Sequence, residues 1–234
     1  MTATTVRARD PWTSCVGLTA LLLLMGSASP QQFTFERSFA AGSVTRLEIS
    51  THRGTIRIKA SDGDQVVVSG TANVRSVFNM PVNPRDLAGT VSNHPPVDLH
   101  GTVLTVIPPT DPLVDRAITL DYEVQLPAAT PIAATSDSGA VTIDARTGAV
   151  SVRTQTGAIV VTVPPGQGVT LDVASGGKID LDPNLLGAPP DKGRVHGDVA
   201  GGGPRWQLTS QHGDIHVHGP STGTARRAAT PIGA

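Results

Sequence analysis

From residue 33 onward, apolar and polar positions alternate with a period of two. The clearest stretch is SDSGAVTIDARTGAVSVRTQTGAIVVTV, residues 136–163. Gly139 precedes Val141 and Ile143, Gly148 precedes Val150 and Val152, and Gly157 precedes Ile159 and Val161. The same frame recurs at Gly54 (Ile56, Ile58), Gly177 (Ile179, Leu181) and Gly213 (Ile215, Val217). Apolar residues two and four places after a glycine share one face, because successive side chains alternate across a strand. The residues between them, such as Arg57, Thr142, Asp180 and His216, are polar and must face away. Each copy therefore predicts a short, half-buried strand. Beyond residue 30 no run of i, i+3, i+4, i+7 apolar spacing competes with this alternation.

Glycine suits a corner before so short a strand, since it takes positive φ without steric cost and lets another backbone come close. The residues ahead of it are mostly short and polar, as turns prefer. No strand–Gly-x-Gly-x-x-Gly–helix context accompanies these glycines, so they mark corners rather than a phosphate-binding loop. Gly139 to Gly157 is 18 residues and Gly157 to Gly177 is 20, the length of two short strands and two corners. The fold predicted is all-β, a β-solenoid or β-roll of short Gly-cornered strands with an N-terminal cap region. In it Val141/Ile143, Ile159/Val161 and Ile179/Leu181 stack as interior ladders. The alternative is an antiparallel β-sandwich or meander.

The rest of the chain is read around that unit. Residues 33–50, with Phe33, Phe35, Val44, Leu47 and Ile49, form the cap. Residues 79–100 form a Pro-rich insertion, read as a loop, and TVLTVIPP and AITLDYEVQLP follow as two longer strands. The single domain spans 33–219. Residues 1–28 have the layout of a signal peptide: Arg7 and Arg9, the apolar run VGLTALLLLM (16–25), then Gly26 and Ala28 before a cut near residue 28. That run is too short to span a bilayer comfortably, so no transmembrane helix is expected in the mature chain. The chain has one cysteine, Cys15, ahead of the apolar run, so the mature protein would have no thiol and no disulfide. Residues 220–234 read as a disordered tail.

Composition supports this picture. Glutamate occurs only at Glu36, Glu48 and Glu123 and lysine only at Lys59, Lys178 and Lys192, while there are 25 Gly and 19 Pro. That is poor material for helices. The formal net charge is −1, which leaves no basic footprint for nucleic acid.

The tandem Gly-x-Val-x-Val frame, preceded by AITLDYEVQLPAATPIAATSDSGAVTIDARTGAV, resembles the bacterial DUF4097 family of β-strand-repeat, adhesin-type proteins. That family is similar to the GIN or DUF2807 adhesin-head domains. The strand DYEVQLP (121–127), ending in proline just ahead of the repeats, matches the family's habit, and the resemblance covers roughly residues 36–218. It implies an exported or envelope-facing β-solenoid without established catalytic residues. The Pro-rich insertion departs from the pattern and leaves the number of coils open.

Candidate chemistry is sparse. In QHGDIHVHG (211–219), His212, Asp214, His216 and His218 share parity, and His216 and His218 could present imidazoles on one face. Such pairs can bind Zn²⁺ or Cu²⁺, so His212, His216 and His218, with His196 nearby, are the metal candidates. The plainer reading is a solvated outer face. Asp144 and Asp180 could line up on stacked strands as a carboxylate pair, the arrangement a glycan-cleaving β-helix needs. No aromatic falls within the tandem repeat to form a sugar platform, and Gly-x-Ser-x-Gly is absent. The sequence therefore predicts no catalytic residues and no cofactor. It points to an exported, non-catalytic β-repeat scaffold or interaction module, adhesin-like, periplasmic, cell-surface or secreted, with envelope polymers or proteins as partners. The alternatives are a glycan-active enzyme and a His-based metal-binding module.

Overall fold

The computed structural model describes residues 32–75, 83–144, 148–186 and 193–219. The segments read as signal peptide (1–28) and tail (220–234) lie outside the described residues. The strands in order are β1 (Gln32–Ala40), β2 (Arg46–Arg53), β3 (Ile56–Ser61) and β4 (Gln65–Val74). Helix α1 (Pro84–Asn93), β5 (Val97–His100), β6 (Val103–Val106), helix α2 (Pro112–Ala117) and β7 (Ile118–Pro127) follow. The repeats then supply β8 (Ile132–Ser138), β9 (Val141–Asp144), β10 (Val150–Thr154), β11 (Ile159–Thr162), β12 (Val169–Ser175) and β13 (Ile179–Leu181). The described residues close with β14 (Arg194–Val199), β15 (Arg205–Ser210) and β16 (Ile215–His218).

The fold is mostly β, in two large mixed sheets. One runs β1-β4-β7-β3-β9-β11-β16-β13, the other β14-β12-β15-β10-β8-β2-β6-β5. Their apolar sides meet in one core. Along the repeats the chain alternates between sheets, β8 in one, β9 in the other, β10 back in the first. Neighbours within a sheet here are parallel, so consecutive repeats do not pair as hairpins. Antiparallel pairs stand toward the sheet ends, β1 and β7 on β4, β5 on β6, β14 on β12.

The period-two alternation is what makes this core. Ile56, Val141, Ile159, Ile215 and Ile179 lie in register across β3, β9, β11, β16 and β13. The first four of them are essentially inaccessible. In the facing sheet Leu47, Ile132, Val150, Trp206 and Leu171 form the matching row.

The order of stacking differs from expectation. The Ile159/Val161 pair was expected against Ile179/Leu181, but Ile215/Val217 stands between them. The last strand pair among the described residues, β15–β16, is wedged between β10–β11 and β12–β13. All these strands carry the same alternation, so the pattern could not say which neighbours which.

Five of the six frame glycines stack on one edge. A Cβ at Gly139 would overlap the carbonyl of Gly54, one at Gly157 that of Gly139, and one at Gly213 that of Gly157. Gly177 continues the column against Gly213. Gly148 is the exception: its neighbour is the Ala129 carbonyl, and its own carbonyl accepts the Trp206 indole N–H at 3.3 Å. It belongs to the opposite edge, which is why the 18-residue rather than the nine-residue step repeats.

Beside the glycine column runs a row of small hydroxyl residues, Thr51, Ser136, Thr154, Ser210 and Ser175, in register across five strands. All are buried. Thr154 Oγ1 donates to Gly157 O at 2.8 Å and Ser136 Oγ to Gly139 O at 3.2 Å. Ser210 Oγ donates to Gly157 O at 3.3 Å and accepts the Gly213 N–H at 2.8 Å. Ser175 Oγ donates to Gly213 O and accepts the Gly177 N–H. The turn groups that no strand can pair are satisfied this way.

The insertion is not the loop expected at 79–100. It contains α1 and β5. Asn83 caps α1 by accepting the Arg85 N–H at 3.1 Å, with Pro84 in the first turn. Proline is tolerated there because that N–H has no helical partner anyway. Asp111 and Pro112 repeat the device at α2. Of the two longer strands expected, β7 has 10 residues and β6 only 4. In the region read as a cap, β1 forms the edge of its sheet, with Phe35 edge-on to Tyr122 at 6.2 Å.

Candidate functional site

With apolar residues inward, chemistry falls to the outward rows and the corners. On the sheet ending in β13, one outward row reads Glu123, Arg57, Thr142, Val160, His216 and Asp180. The next reads Gln125, Lys59, Asp144, Thr162 and His218, with Asp182 following on from β13. On the facing sheet a row of eight runs the full width: His196, Asp172, Gln207, Ser151, Ala133, Glu48, Thr105 and Asp98. It is built mostly from short side chains.

The histidine candidates separate. His216 and His218 share the outer face of β16, their rings parallel within 8° and 6.4 Å apart. His216 Nδ1 lies 3.5 Å from Asp180 Oδ2, and His218 Nδ1 lies 3.9 Å from Asp182 Oδ1. His212 sits in the corner turn, its backbone N–H donating to Gln155 O. Asp214 accepts the Lys178 N–H at 2.8 Å. His196 is on β14 of the other sheet, opposite Asp172. Among the described residues no group of three or more His, Cys, Asp or Glu side chains is arranged to hold a metal ion. The carboxylates beside the histidines come from β13, whose pairing with β16 the sequence order concealed.

The carboxylate pair considered for glycan cleavage does not assemble. Asp144 on β9 and Asp180 on β13 lie in different rows, three strands apart with β11 and β16 between them. At about 4.8 Å per strand that is roughly 14 Å, beyond the ~5–9.5 Å that glycosidase carboxylates span.

A second polar group lies at the glycine edge. His52 is held between two acids, Nδ1 at 3.1 Å from Asp115 Oδ1 and Nε2 at 3.9 Å from Asp137 Oδ2. Arg53 donates to the Asp115 carbonyl, and Gln155 Nε2 donates to Asp137 Oδ1 at 3.2 Å. These contacts fasten α2 to the corner. The signal was legible in part: His52, Asp137 and Gln155 each directly follow a ladder hydroxyl, whereas Arg53 and Asp115 do not.

A cavity of about 280 Å³ lies elsewhere, at the edge opposite the glycine column. Val163, Pro164, Leu185, Val199 and Ala200 give it an apolar lining beside Gln167, Asn184 and Asp182. Asp182 also accepts the Gly219 N–H. No acid and base face each other across it.

Two groups titrate unusually. Lys59 Nζ, 2.8 Å from Glu123 Oε1, donates a hydrogen bond that holds the Glu123 carboxyl below its usual range. Burial pushes the Tyr122 phenol far above its ordinary value. Neither adjoins the cavity or the histidines. No helix among the described residues is long and apolar enough to cross a membrane.

No protein-family profile matches the sequence, and no curated protein resembles it. Among solved structures the chain is similar to a "putative cell adhesion protein" from Clostridium sporogenes, at TM-score 0.46 and 8% identity, over 82% of this chain and 100% of that one. It is also similar to a "putative adhesin" from Parabacteroides distasonis, at TM-score 0.28 and 12% identity, over 80% of this chain and 66% of that one. A third, a "putative adhesin" from Bacteroides fragilis, has TM-score 0.26 and 9% identity, over 80% of this chain and 98% of that one. Likeness at this level carries no argument about this chain's activity.

Proposed function

We propose that the chain is an exported, non-catalytic interaction module of the bacterial cell envelope, adhesin-like, of the DUF4097 type. In this reading the paired strands are coils of a β-solenoid whose last coil is stacked out of sequence order. The observation that carries the proposal is the unbroken outward row from His196 to Asp98. It crosses eight strands, roughly 34 Å at 4.8 Å spacing, on a backbone held by ladder hydrogen bonds. Its Asp172, Ser151, Thr105 and Asp98 side chains are short and cost less entropy to immobilise than long ones, which suits a flat contact with an envelope polymer or protein. The apolar run at 16–25 supports export of the unit. The wide separation of Asp144 and Asp180 argues against the glycan-active alternative. The parallel, separately paired His216 and His218 give the metal-binding alternative no common point for a cation.

The test has two arms. A reporter fused after residue 40 is expected to leave the cytoplasm, and its retention would remove the exported reading. The full chain, made in an exporting host and immobilised, is expected to capture an envelope component. Arg153→Glu with Glu48→Arg, on the row-bearing sheet, is expected to weaken capture at least tenfold. Unchanged capture by that variant, or turnover of purified envelope glycans, would overturn the proposal.

A further inference from the structure

The strand pair β15–β16 is the last among the described residues but sits inside both sheets, β15 between β12 and β10 and β16 between β11 and β13. It is parallel to its neighbour on each side. Its Trp206, Leu208, Ile215 and Val217 are essentially inaccessible, and Ser210 and Gly213 complete the hydroxyl row and the glycine column. The rest of the fold thus forms a slot, one strand wide in each sheet, which this segment fills.

The connection to that slot is a single short hinge. β14 and β15 lie on opposite sides of β12, β14 antiparallel to it and β15 parallel, so residues 200–204 (AGGGP) must arch over the end of β12. Ala200 (φ 51°), Gly201 (φ 89°) and Gly202 (φ 79°) all have positive φ. For Ala200 that is a strained conformation, whereas the glycines rearrange at little cost.

We propose that β15–β16 is an exchangeable arm and that the slot between β10–β11 and β12–β13 takes the same arm from a second copy of this chain. Exchange preserves every contact the arm makes, in the same register. It changes only the hinge, where the strain at Ala200 is released, and it adds the cost of association. That is the physical condition for strand swapping. The reciprocal form is a closed dimer, and head-to-tail exchange would extend into a chain of copies, multiplying the outward rows.

The test uses introduced thiols in the full chain carrying Cys15→Ser. Ser151 on β10 and Gln207 on β15 are register partners on the outer face, at a spacing a disulfide can bridge. The variant with both Ser151→Cys and Gln207→Cys is expected to oxidise readily, within one copy or between two, which checks the register. Equal amounts of the two single variants, refolded together at high concentration, are expected to give a disulfide-linked heterodimer. Its yield should be at least tenfold that from Glu48→Cys paired with Gln207→Cys, whose strands are not neighbours. Deleting Gly201–Gly203, so that the arm cannot arch over β12, is expected to shift the protein from monomer toward dimer in size-exclusion chromatography. Heterodimer yield no higher than that control pair, or a folded monomer after the deletion, would overturn the proposal.

Discussion

The carbonyl oxygen of Gly139 lies where the Cβ of any residue at Gly157 would have to go. The same holds between Gly54 and Gly139, so the glycine edge is held together by backbone stacked on backbone. Gly157→Ala must push two strands apart, and it is expected to cost about 2–4 kcal/mol in urea denaturation. Gly89→Ala is the control. Gly89 is in α1 with open space around it, so that substitution is expected to stabilise by about 0.5–1 kcal/mol. Equal effects at the two sites would mean that the column tolerates side chains.

The hydroxyl row makes a separate prediction. Thr154→Val keeps the shape but removes the shorter of two O–H bonds to Gly157 O, and Ser210→Ala removes the other and leaves the Gly213 N–H without its acceptor. Each is expected to cost about 1–2 kcal/mol, because the group left behind is buried. Thr135→Val, on the outward side of β8, is expected to change stability by less than about 0.5 kcal/mol. Thermal unfolding of the three variants side by side distinguishes a buried network from a general loss of hydroxyls.

That row shows what the sequence could and could not disclose. Strand positions and inward faces were readable because Val/Ile alternation at Ile56, Val141, Ile159 and Ile215 has one physical meaning. The Ser/Thr three places before Gly54, Gly139, Gly157 and Gly213 was equally present but passed for ordinary turn polarity. Stacking order was not readable, because β11, β13 and β16 share one frame and only long-range closure chooses among them. The pairing of His216 with Asp180 depends on that choice. Helix α1 was masked by its prolines, which signal a loop unless Asn83-Pro84 is read as a cap and first turn.

The Lys59–Glu123 pair gives the outer face a pH signature. The folded carboxyl ionises at lower pH than the unfolded one, so the unfolded chain takes up its proton first as pH falls. The contribution is therefore whole above the usual carboxylate range and is lost as pH drops through the folded value. Both side chains are more than a third exposed, so solvent screening limits it to about 0.5 kcal/mol. A double-mutant cycle with Lys59→Met and Glu123→Gln is expected to show that coupling at pH 7 and none at pH 2. A coupling unchanged at pH 2 would rule out the ion pair as its source.

Tyr122 is the one tyrosine of the chain, and its hydroxyl is buried without a hydrogen-bond partner among the described residues. A desolvated, unpaired O–H opposes folding, while the ring packs edge-on to Phe35 and fills the core. Tyr122→Phe retains the ring and removes the hydroxyl, so it is expected to stabilise the protein by about 1 kcal/mol at pH 7. The alkaline limb should respond as well. Burial raises the folded phenol's pKa, so the unfolded chain ionises first as pH rises past about 10. Stability from this source is whole below that point and declines above it in the wild type, but not in Tyr122→Phe. Phenolate absorbance near 295 nm follows this single group, and it should emerge together with unfolding measured by circular dichroism. Ionisation near pH 10 in the folded protein, or a loss of stability in Tyr122→Phe, would show that the hydroxyl is solvated or bonded after all.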